Sequence, residues 1–318
     1  MRTIEIKKND ANQRLDKFLT KRFKTLPKPL MYKYIRTKYI KVNGKRCEIS
    51  TRLNEGDIIT LYIKDEFFEE PQYDTFDFLK APAKLDIVYE DSNIILLNKP
   101  CELLCHPDDN YYYDSLLARL QHYLYDKKEY NPKDENSFAP ALANRIDRNT
   151  QGIVIACKNA EALRILNQKI KDREIKKFYL CAVHGALKRK SALLTAYLEK
   201  NEKQNRVYIS SKPTEKSKTI KTRYEVLSEK RGMSLVKVEL LTGRTHQIRA
   251  HMAYIGHPLV GDGKYGTNKQ NENVPLKYQA LCSYRLEFAF DTDGGMLEYL
   301  NGKAFEIDDI GFRDILKI

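Results

Sequence analysis

The sequence predicts an α+β protein in which a small basic module precedes a larger domain with a mixed, largely antiparallel sheet flanked by helices. Three observations predict it. Positive charge is concentrated at the start of the chain, an acidic stretch follows, and strand-like and helix-like segments then alternate to the end. Neighbours that look like hairpins outnumber clear β-α-β crossovers, which favours antiparallel pairing.

The charge distribution sets the predicted domain boundaries. Residues 1–64 hold 17 Lys and Arg against 6 Asp and Glu, whereas residues 65–78 hold six acids and no base. A basic block followed by an acidic stretch with a proline is typical of a module and a linker. We therefore predict a module at 1–64, an acidic linker at 65–83 and a large domain at 84–318.

The sequence of the small module predicts two helices and a small sheet. Asn12 is a candidate cap for a helix with apolar residues at helical spacing, and Pro27 and Pro29 start a second helix. An Asn43-Gly44 turn then joins two short strands. The second helix presents four basic side chains outward, at Lys28, Lys33, Arg36 and Lys38. Such a face suits the phosphate backbone of structured RNA, although helices commonly carry solvated lysines.

The sequence of the large domain alternates between segments with strand periodicity and segments with helix periodicity. A hairpin at 85–100 is followed by strands and helices, among them the apolar strand GIVIACK and a helix over 244–256. The hairpin ends in a loop that clusters Cys101, Cys105 and His106. A structural zinc site needs four ligands, usually as two close pairs, and the sequence contains no second pair, so we predict no metal.

The overall composition favours a cytoplasmic protein with a polyanionic partner. The 318 residues carry a formal net charge of +13, a surplus most often associated with nucleic acid. No apolar run approaches the roughly 18 residues of a membrane span, and the N-terminus lacks the apolar core of a signal peptide. We expect a cytoplasmic monomer that does not associate with membranes.

Three segments carry the candidate chemistry: NRIDRNTQGIVI at 144–155, KKFYLCAVHG at 176–185 and LLTGRTHQIRAHMAYIGHPLVGDGKYG at 240–266. The first places a lone acid, Asp147, between Arg145 and Arg148. An exposed salt bridge is the default interpretation of such an acid. A carboxylate hydrolase usually needs a pair of acids, and the sequence offers no convincing partner acid for Asp147.

In order and content these segments resemble the RluA-type pseudouridine synthases. The Asp147 segment is similar to the family's Arg-Leu-Asp loop, residues 98–107 to its Asn-Lys-Pro motif and residues 177–185 to its Lys-x-Tyr motif. Residues 242–262 match its Thr-Gly-Arg-Thr-His-Gln-Ile-Arg motif almost residue for residue. The module at 1–64 resembles the S4 RNA-binding domain. The sequence departs from the family pattern at four positions: Asn144 for His, Gln151 for Ser, Glu102 for Gly and Cys181 for Ala.

The resemblance implies an RNA-modifying isomerase. It implies that Asp147 is catalytic, that Tyr179 stacks on the target base, that Arg249 pairs with Asp147, and that Arg145 fills the gap left by the flipped nucleotide. We add Arg148, Arg244 and His246 to the expected RNA-binding residues. The reaction exchanges no electrons, so we expect no cofactor. We expect Asp147 to act as an ion, because only a carboxylate can attack the sugar, stabilise its positive charge or remove a sugar proton.

Several alternatives stay open from the sequence. The expected partner is large-subunit (23S) ribosomal RNA or a ribosome assembly intermediate, with transfer RNA as the second choice. A non-catalytic S4-type RNA-binding protein is a different class of function, which need not keep Asp147, Tyr179 and Arg249. Release of tritium from RNA containing 5-tritiated uridine distinguishes the enzyme from the binding protein.

Overall fold

The computed structural model describes residues 1–68, 76–108 and 113–318 and divides the chain into two compact units. The first unit comprises residues 1–84, 107–141 and 157–163, and the second comprises 85–106, 142–156 and 164–318. Within the described ranges, no helix has both the length and the apolar character needed to cross a membrane. The boundaries predicted at 64 and 83 remain predictions.

The basic module has the two helices and the small sheet that the sequence predicts. Helix α1 covers Leu15–Arg22 and α2 covers Lys28–Arg36. The antiparallel sheet has the order β1-β4-β2-β3, with the strands β1 at Arg2–Glu5, β2 at Ile40–Val42, β3 at Lys45–Arg46 and β4 at Ile58–Leu61. The apolar faces of both helices pack on the inner face of this sheet in one core.

Two local predictions in the module are confirmed and one is wrong. Asn43 and Gly44 have φ values of 52° and 70°, as a two-residue hairpin turn requires. Pro27 precedes the first residue of α2, which is confirmed as the second helix. Asn12, however, is not the cap of α1. It has a φ of 62°, and Arg14 occupies the cap position without a side-chain hydrogen bond to the helix.

Residues 134–137 hydrogen-bond to the module within the first unit. The fully buried Asp10 accepts from Ser137 Oγ at 2.6 Å and from Asn136 Nδ2 at 2.8 Å. Asn9 Nδ2 donates to Glu135 Oε1 at 2.8 Å. These contacts join segments more than 120 positions apart in the chain, a proximity that the acidic linker alone does not predict.

The predicted linker is structured at both ends. Short 3-10 helices cover Asp65–Phe68 and Asp77–Lys80, and residues 69–75 lie outside the described residues. Phe78 is buried and packs within 6 Å of the rings of Tyr125 and Tyr130. The C-terminal part of the predicted linker therefore belongs to a small aromatic core.

The large sheet has 11 strands, and nine of them follow the order β11-β10-β12-β13-β9-β14-β8-β6-β5. The described pairings are antiparallel except for β14 with β8, so the mixed, largely antiparallel class is confirmed. The sequence did not single out the hairpin β10-β11. The strands are β5 Ile87–Glu90, β6 Ile94–Lys99, β7 Ala141–Leu142, β8 Gln151–Cys157, β9 Ile175–His184, β10 Ser191–Asn201, β11 Arg206–Ser210, β12 Lys218–Lys230, β13 Met233–Leu240, β14 Leu281–Phe288 and β15 Ala304–Glu306.

Five further helices accompany these strands. They are α3 Leu116–Asp126, α4 Ala160–Lys171, α5 Gln247–Tyr254, α6 Asn268–Asn271 and α7 Gly311–Leu316. Helix α5 is shorter than the predicted 244–256, because residues 244–246 form a turn that ends in a left-handed residue, His246, with a φ of 52°. Ile248 and Met252 of α5 are buried in a core with β9, β12 and β13, as their spacing predicts.

Candidate active site

Asp147 lies on the loop between β7 and β8, and its side chain is 27% exposed. The loop has its own turn, in which the Thr150 N–H donates to the Asp147 carbonyl at 3.0 Å. Asn144 Oδ1 accepts from the backbone N–H of Ile155 in β8 at 2.8 Å. The buried strand therefore fixes the loop that carries the carboxylate.

Gly152 allows β8 to approach β14 closely just after this loop. Its φ is 126°, a value that L side chains rarely adopt. A Cβ at this position would lie 2.3 Å from the carbonyl oxygen of Ser283 in the paired strand. The glycine in this sequence is thus required by packing as well as by backbone conformation.

The segment 99–105, at the end of β6 and in the loop after it, holds the Asp147 loop in place. Its side chains donate hydrogen bonds to backbone carbonyls of that loop. The ammonium of Lys99 is fully buried and donates to the Arg148 carbonyl at 2.9 Å, as well as to the carbonyls of Pro100 and Leu103. The thiols of Cys101 and Cys105 donate to the carbonyls of Asn149 and Ile146, each at 3.4 Å. The cluster with Cys101 and Cys105 thus helps to position the loop of the candidate catalytic acid.

Burial lowers the pKa of Lys99 to about 8, although nearby thiols and Asp147 oppose the shift. All three of its protons have carbonyl acceptors, which compensates part of the cost of burying a charge. Sequence analysis missed Lys99 as a site residue. The Asn-Lys-Pro motif at 98–100 contains Lys99, but a sequence motif alone does not show that its lysine will donate to backbone carbonyls.

Arg249 on α5 joins Asp147 to a second, fully buried acid. Its Nη1 donates to Asp147 Oδ2 at 3.2 Å, while Nε and Nη2 donate to the two oxygens of Asp262 at 2.7 and 2.9 Å. Asp262 also accepts from the backbone N–H groups of Lys264 and Tyr265. Burial raises the pKa of Asp262, but Arg249 and these N–H groups outweigh burial and hold the pKa below its usual value. The predicted pairing of Arg249 with Asp147 is present, and Asp262 was missed.

His246 approaches the same carboxylate from the turn before α5. Its Nε2 lies 3.9 Å from Asp147 Oδ2, and its Nδ1 lies 2.9 Å from the hydroxyl of Tyr265. Burial lowers the pKa of His246 to about 4, with Asp147 opposing the shift. The ring is therefore neutral near pH 7 and adds no charge to the site.

Gln247 holds this turn in place. Its side-chain carbonyl accepts from Thr242 Oγ1 at 2.9 Å and from the Arg244 N–H at 3.2 Å. Its amide donates to the Lys221 carbonyl and to Thr222 Oγ1 on β12. The buried glutamine explains how the Thr-Gly-Arg-Thr-His-Gln segment brings Arg244 and His246 to the cavity.

Six of the predicted site residues line one open cavity of about 320 Å³, within the usual range for a small-molecule site. They are Asp147, Tyr179, Arg249, Arg145, Arg244 and His246. Tyr179 on β9 is only 6% exposed, and burial raises the pKa of its phenol, which is therefore neutral. The cavity thus presents an aromatic wall, a carboxylate paired with an arginine, and two exposed arginines, Arg145 and Arg244.

The remaining predicted RNA-binding residues lie elsewhere. Arg148 donates its Nε to the Glu102 carbonyl at 3.0 Å. The four basic residues of the module, Lys28, Lys33, Arg36 and Lys38, are exposed on α2 and just after it, in the first unit. Their outward orientation agrees with the sequence prediction.

Comparison with known proteins identifies two families along the chain. The family model for RNA pseudouridylate synthase matches residues 93–254, and the S4 domain model matches residues 13–59. An uncharacterized RNA pseudouridine synthase of Mycoplasma genitalium is 34% identical, with 89% of this chain and 88% of that protein covered.

Two further comparisons agree. Ribosomal large subunit pseudouridine synthase C of Vibrio cholerae is 32% identical over 84% of this chain and 81% of its own length. The solved structure of human RNA pseudouridylate synthase domain containing 1 has a TM-score of 0.57 at 22% identity, covers 78% of this chain and 89% of that chain, and shares the fold. The chain therefore belongs to the RNA pseudouridylate synthase family and carries an S4 domain near its N-terminus.

Proposed function

We propose that this RNA pseudouridine synthase isomerises uridines of large-subunit ribosomal RNA, with Asp147 as its catalytic carboxylate. The observation that carries the assignment is the position of Asp147. Its carboxylate lies 3.2 Å from the Arg249 guanidinium, in a cavity that Tyr179 also lines. Arg249 thus places a positive charge beside the acid that the chemistry uses as an anion.

The reaction explains why the site needs that charge. The bond between uracil and the sugar breaks, the uracil turns over, and a bond to carbon replaces the bond to nitrogen. The sugar becomes electron-poor while the uracil carries negative charge. A carboxylate beside the sugar can attack it, stabilise its positive charge or remove one of its protons, and these three routes stay open.

The cavity suits a nucleotide that has left its helix. Flipping a uridine out of folded RNA costs a few kcal/mol, and stacking on an aromatic side chain contributes about 1–3 kcal/mol. Tyr179 is the aromatic wall of the cavity and takes this role. Arg145 fills the space that the flipped nucleotide leaves, and Arg244 and His246 contact the RNA at the cavity, where their side chains lie.

Large-subunit ribosomal RNA is favoured over transfer RNA by two observations. Curated relatives from three Vibrio species are named as ribosomal large subunit pseudouridine synthases C. The S4 domain carries exposed Lys28, Lys33, Arg36 and Lys38, which can contact the phosphates of a large folded RNA. We further propose that the enzyme works as a monomer in the cytoplasm, without a cofactor, since the isomerisation exchanges no electrons.

The decisive test replaces Asp147 by asparagine, which keeps the shape and removes the charge. Asp147→Asn should abolish tritium release from RNA containing 5-tritiated uridine, while the Kd for the RNA stays within a few-fold. Asp291→Asn is a matched control, because Asp291 is exposed and is not a cavity residue. Normal turnover by Asp147→Asn would reject the assignment.

The RNA substrate is tested separately. Pseudouridines are mapped in total RNA from cells with and without the protein. Loss of sites in large-subunit ribosomal RNA is the expected result. Loss confined to transfer RNA would replace the proposed substrate and leave the catalytic assignment intact.

A further inference from the structure

One lysine of the cavity, Lys177, has no partner among the described residues. It lies on β9 two positions before Tyr179, so both side chains point to the same face of the strand, and both line the cavity. Within the described ranges, the ammonium of Lys177 makes neither a hydrogen bond nor an ion pair. Burial lowers its pKa, and no carboxylate offsets this effect.

Three well-buried lysines among the described residues all have polar partners. Lys99 donates to three carbonyls, and Lys169 pairs with Glu174 at 2.6 Å and also donates to Thr292. Lys158 pairs with Glu129 at 2.6 Å. Lys177 is half-buried. Because a partly desolvated cation without a partner is costly, a ligand that supplies negative charge is the natural complement of Lys177.

The cavity itself provides no such charge. Asp147 is the one acid among the residues that line the cavity, and it is engaged by Arg249 at 3.2 Å. Among the described residues, Lys177 forms no ion pair with this carboxylate. The negative partner of Lys177 must therefore arrive with the substrate.

We propose that Lys177 is a catalytic residue that donates a hydrogen bond to the uracil after it has separated from the sugar. This proposal rests on the assignment of the cavity to the target nucleotide. The ring that stacks on Tyr179 lies beside Lys177, because the two side chains are neighbours on one strand face. Asp147 then stabilises the sugar, while Lys177 stabilises the base.

The bond changes determine where the charge appears. When the C1′–N1 bond breaks, its electron pair goes to the uracil, and the negative charge is shared with the ring oxygens. When C5 forms the new bond to C1′, the electron pair enters that bond, the C5 proton leaves to solvent and N1 takes up a proton. Lys177 keeps its own proton throughout, and it acts only on the charge of the separated ring.

The test compares Lys177→Met with Lys176→Met. Lys176 is the adjacent residue of β9, is exposed, and points to the opposite face of the strand, so it is a matched control. At saturating RNA, Lys177→Met should lower the single-turnover rate about 10²-fold or more, the usual effect of removing one donor to a developing negative charge. The Kd should change less than about three-fold, and Lys176→Met should resemble the unaltered enzyme.

Two outcomes would overturn the proposal. An unchanged rate at saturation with a weaker Kd and a flatter dependence of binding on salt would show that Lys177 contacts a phosphate. An unchanged rate and Kd would show that it plays no part in the reaction. Lys177→Arg should recover part of the lost rate, which separates a need for a cation from a general disturbance of β9.

The control for the cavity assignment is independent. Asp147→Asn must be inactive for the Lys177 data to bear on uracil in this cavity. If Asp147→Asn retains turnover, the proposed function fails. If Asp147→Asn is inactive and Lys177→Met is fully active, only the role of Lys177 fails. Circular dichroism establishes that each variant is folded.

Discussion

Replacing Arg249 by methionine should destabilise the protein and inactivate it for two separable reasons. Arg249 makes two charge-assisted hydrogen bonds, of 2.7 and 2.9 Å, to Asp262, whose side chain has no exposed surface. Removing one partner of a buried ion pair costs about 3–5 kcal/mol, because the other charge stays buried and unpaired. The contact with the partly exposed Asp147 should contribute about 1 kcal/mol or less.

The double variant Arg249→Met with Asp262→Leu separates stability from chemistry. An apolar pair in place of a buried ion pair is often neutral or stabilising, so the double variant should be more stable than Arg249→Met. The recovery should be partial, because the Lys264 and Tyr265 N–H groups lose their acceptor. It should remain inactive, because Asp147 still lacks its cation. Asp147→Asn is the matched control and should be close to the unaltered protein in stability.

The measurement is urea unfolding followed by circular dichroism, since the chain contains no tryptophan. Single-turnover tritium release gives the activity of the same samples. The pKa of Asp262 is held below its usual value, so the stability that the pair provides is present at neutral pH and is lost as pH falls through that lowered pKa. The reasoning would be refuted if Arg249→Met lost less than about 1 kcal/mol of unfolding free energy at pH 7. It would also be refuted if the double variant were no more stable than the single variants.

Three further predictions concern other parts of the molecule. Gly152→Ala should destabilise the protein and reduce expression of folded material, because its Cβ would meet the Ser283 backbone; normal melting would contradict the packing. Burial lowers the pKa of His251 to about 4, so stability should fall as pH drops from about 6.5 towards 4, and His251→Asn should flatten that slope. Neutralising the four basic residues on and just after α2 should reduce the slope of log K against log salt by about 0.7–0.9 for each RNA phosphate that the variant no longer binds. An unchanged slope would mean that this face does not touch RNA.

The large features of the fold were predictable because they depend on local patterns. Helix α1 is one example, because Leu15, Phe18 and Leu19 follow helical spacing and are all completely buried. The strand predicted at residues 176–185 is confirmed as β9, and its Tyr179 lines the cavity. Strand β1 and the hairpin β10-β11 were missed. Strand β1 is largely exposed and has little apolar periodicity, whereas β10 does bury alternate residues, such as Ala196 and Leu198.

Contacts between distant segments were less predictable. The buried Asp10 in the module accepts from Asn136 and Ser137, so residues of the predicted large domain join the first unit. Nothing in a charge run or a hydrophobic period specifies a hydrogen bond over such a separation. The motifs predicted that Asp147 and Arg249 meet, but not that Asp262 anchors the arginine between them.

Three of the four residues that depart from the family pattern make hydrogen bonds near the Asp147 loop. Asn144 accepts from the Ile155 N–H at 2.8 Å, and the Gln151 amide donates to the Asp309 carbonyl at 3.0 Å, so both unusual residues hold the loop or its strand. Glu102 occupies a left-handed conformation with a φ of 69°, which is a natural position for the glycine that the family pattern has there.

Glu102 offsets this backbone strain through its side chain. Its carboxylate accepts from Lys277 at 2.8 Å and from the hydroxyl of Tyr278, and its carbonyl accepts from Arg148. The hydrogen bonds from Lys277 and Tyr278 hold the pKa of Glu102 below its usual value, so the contact is fully formed at neutral pH. Because the carbonyl of Arg148 also binds Lys99, the same arginine ties Glu102 to the loop of Asp147. The unusual residues therefore hold the loop of Asp147 in place, while Arg249 remains paired with its carboxylate.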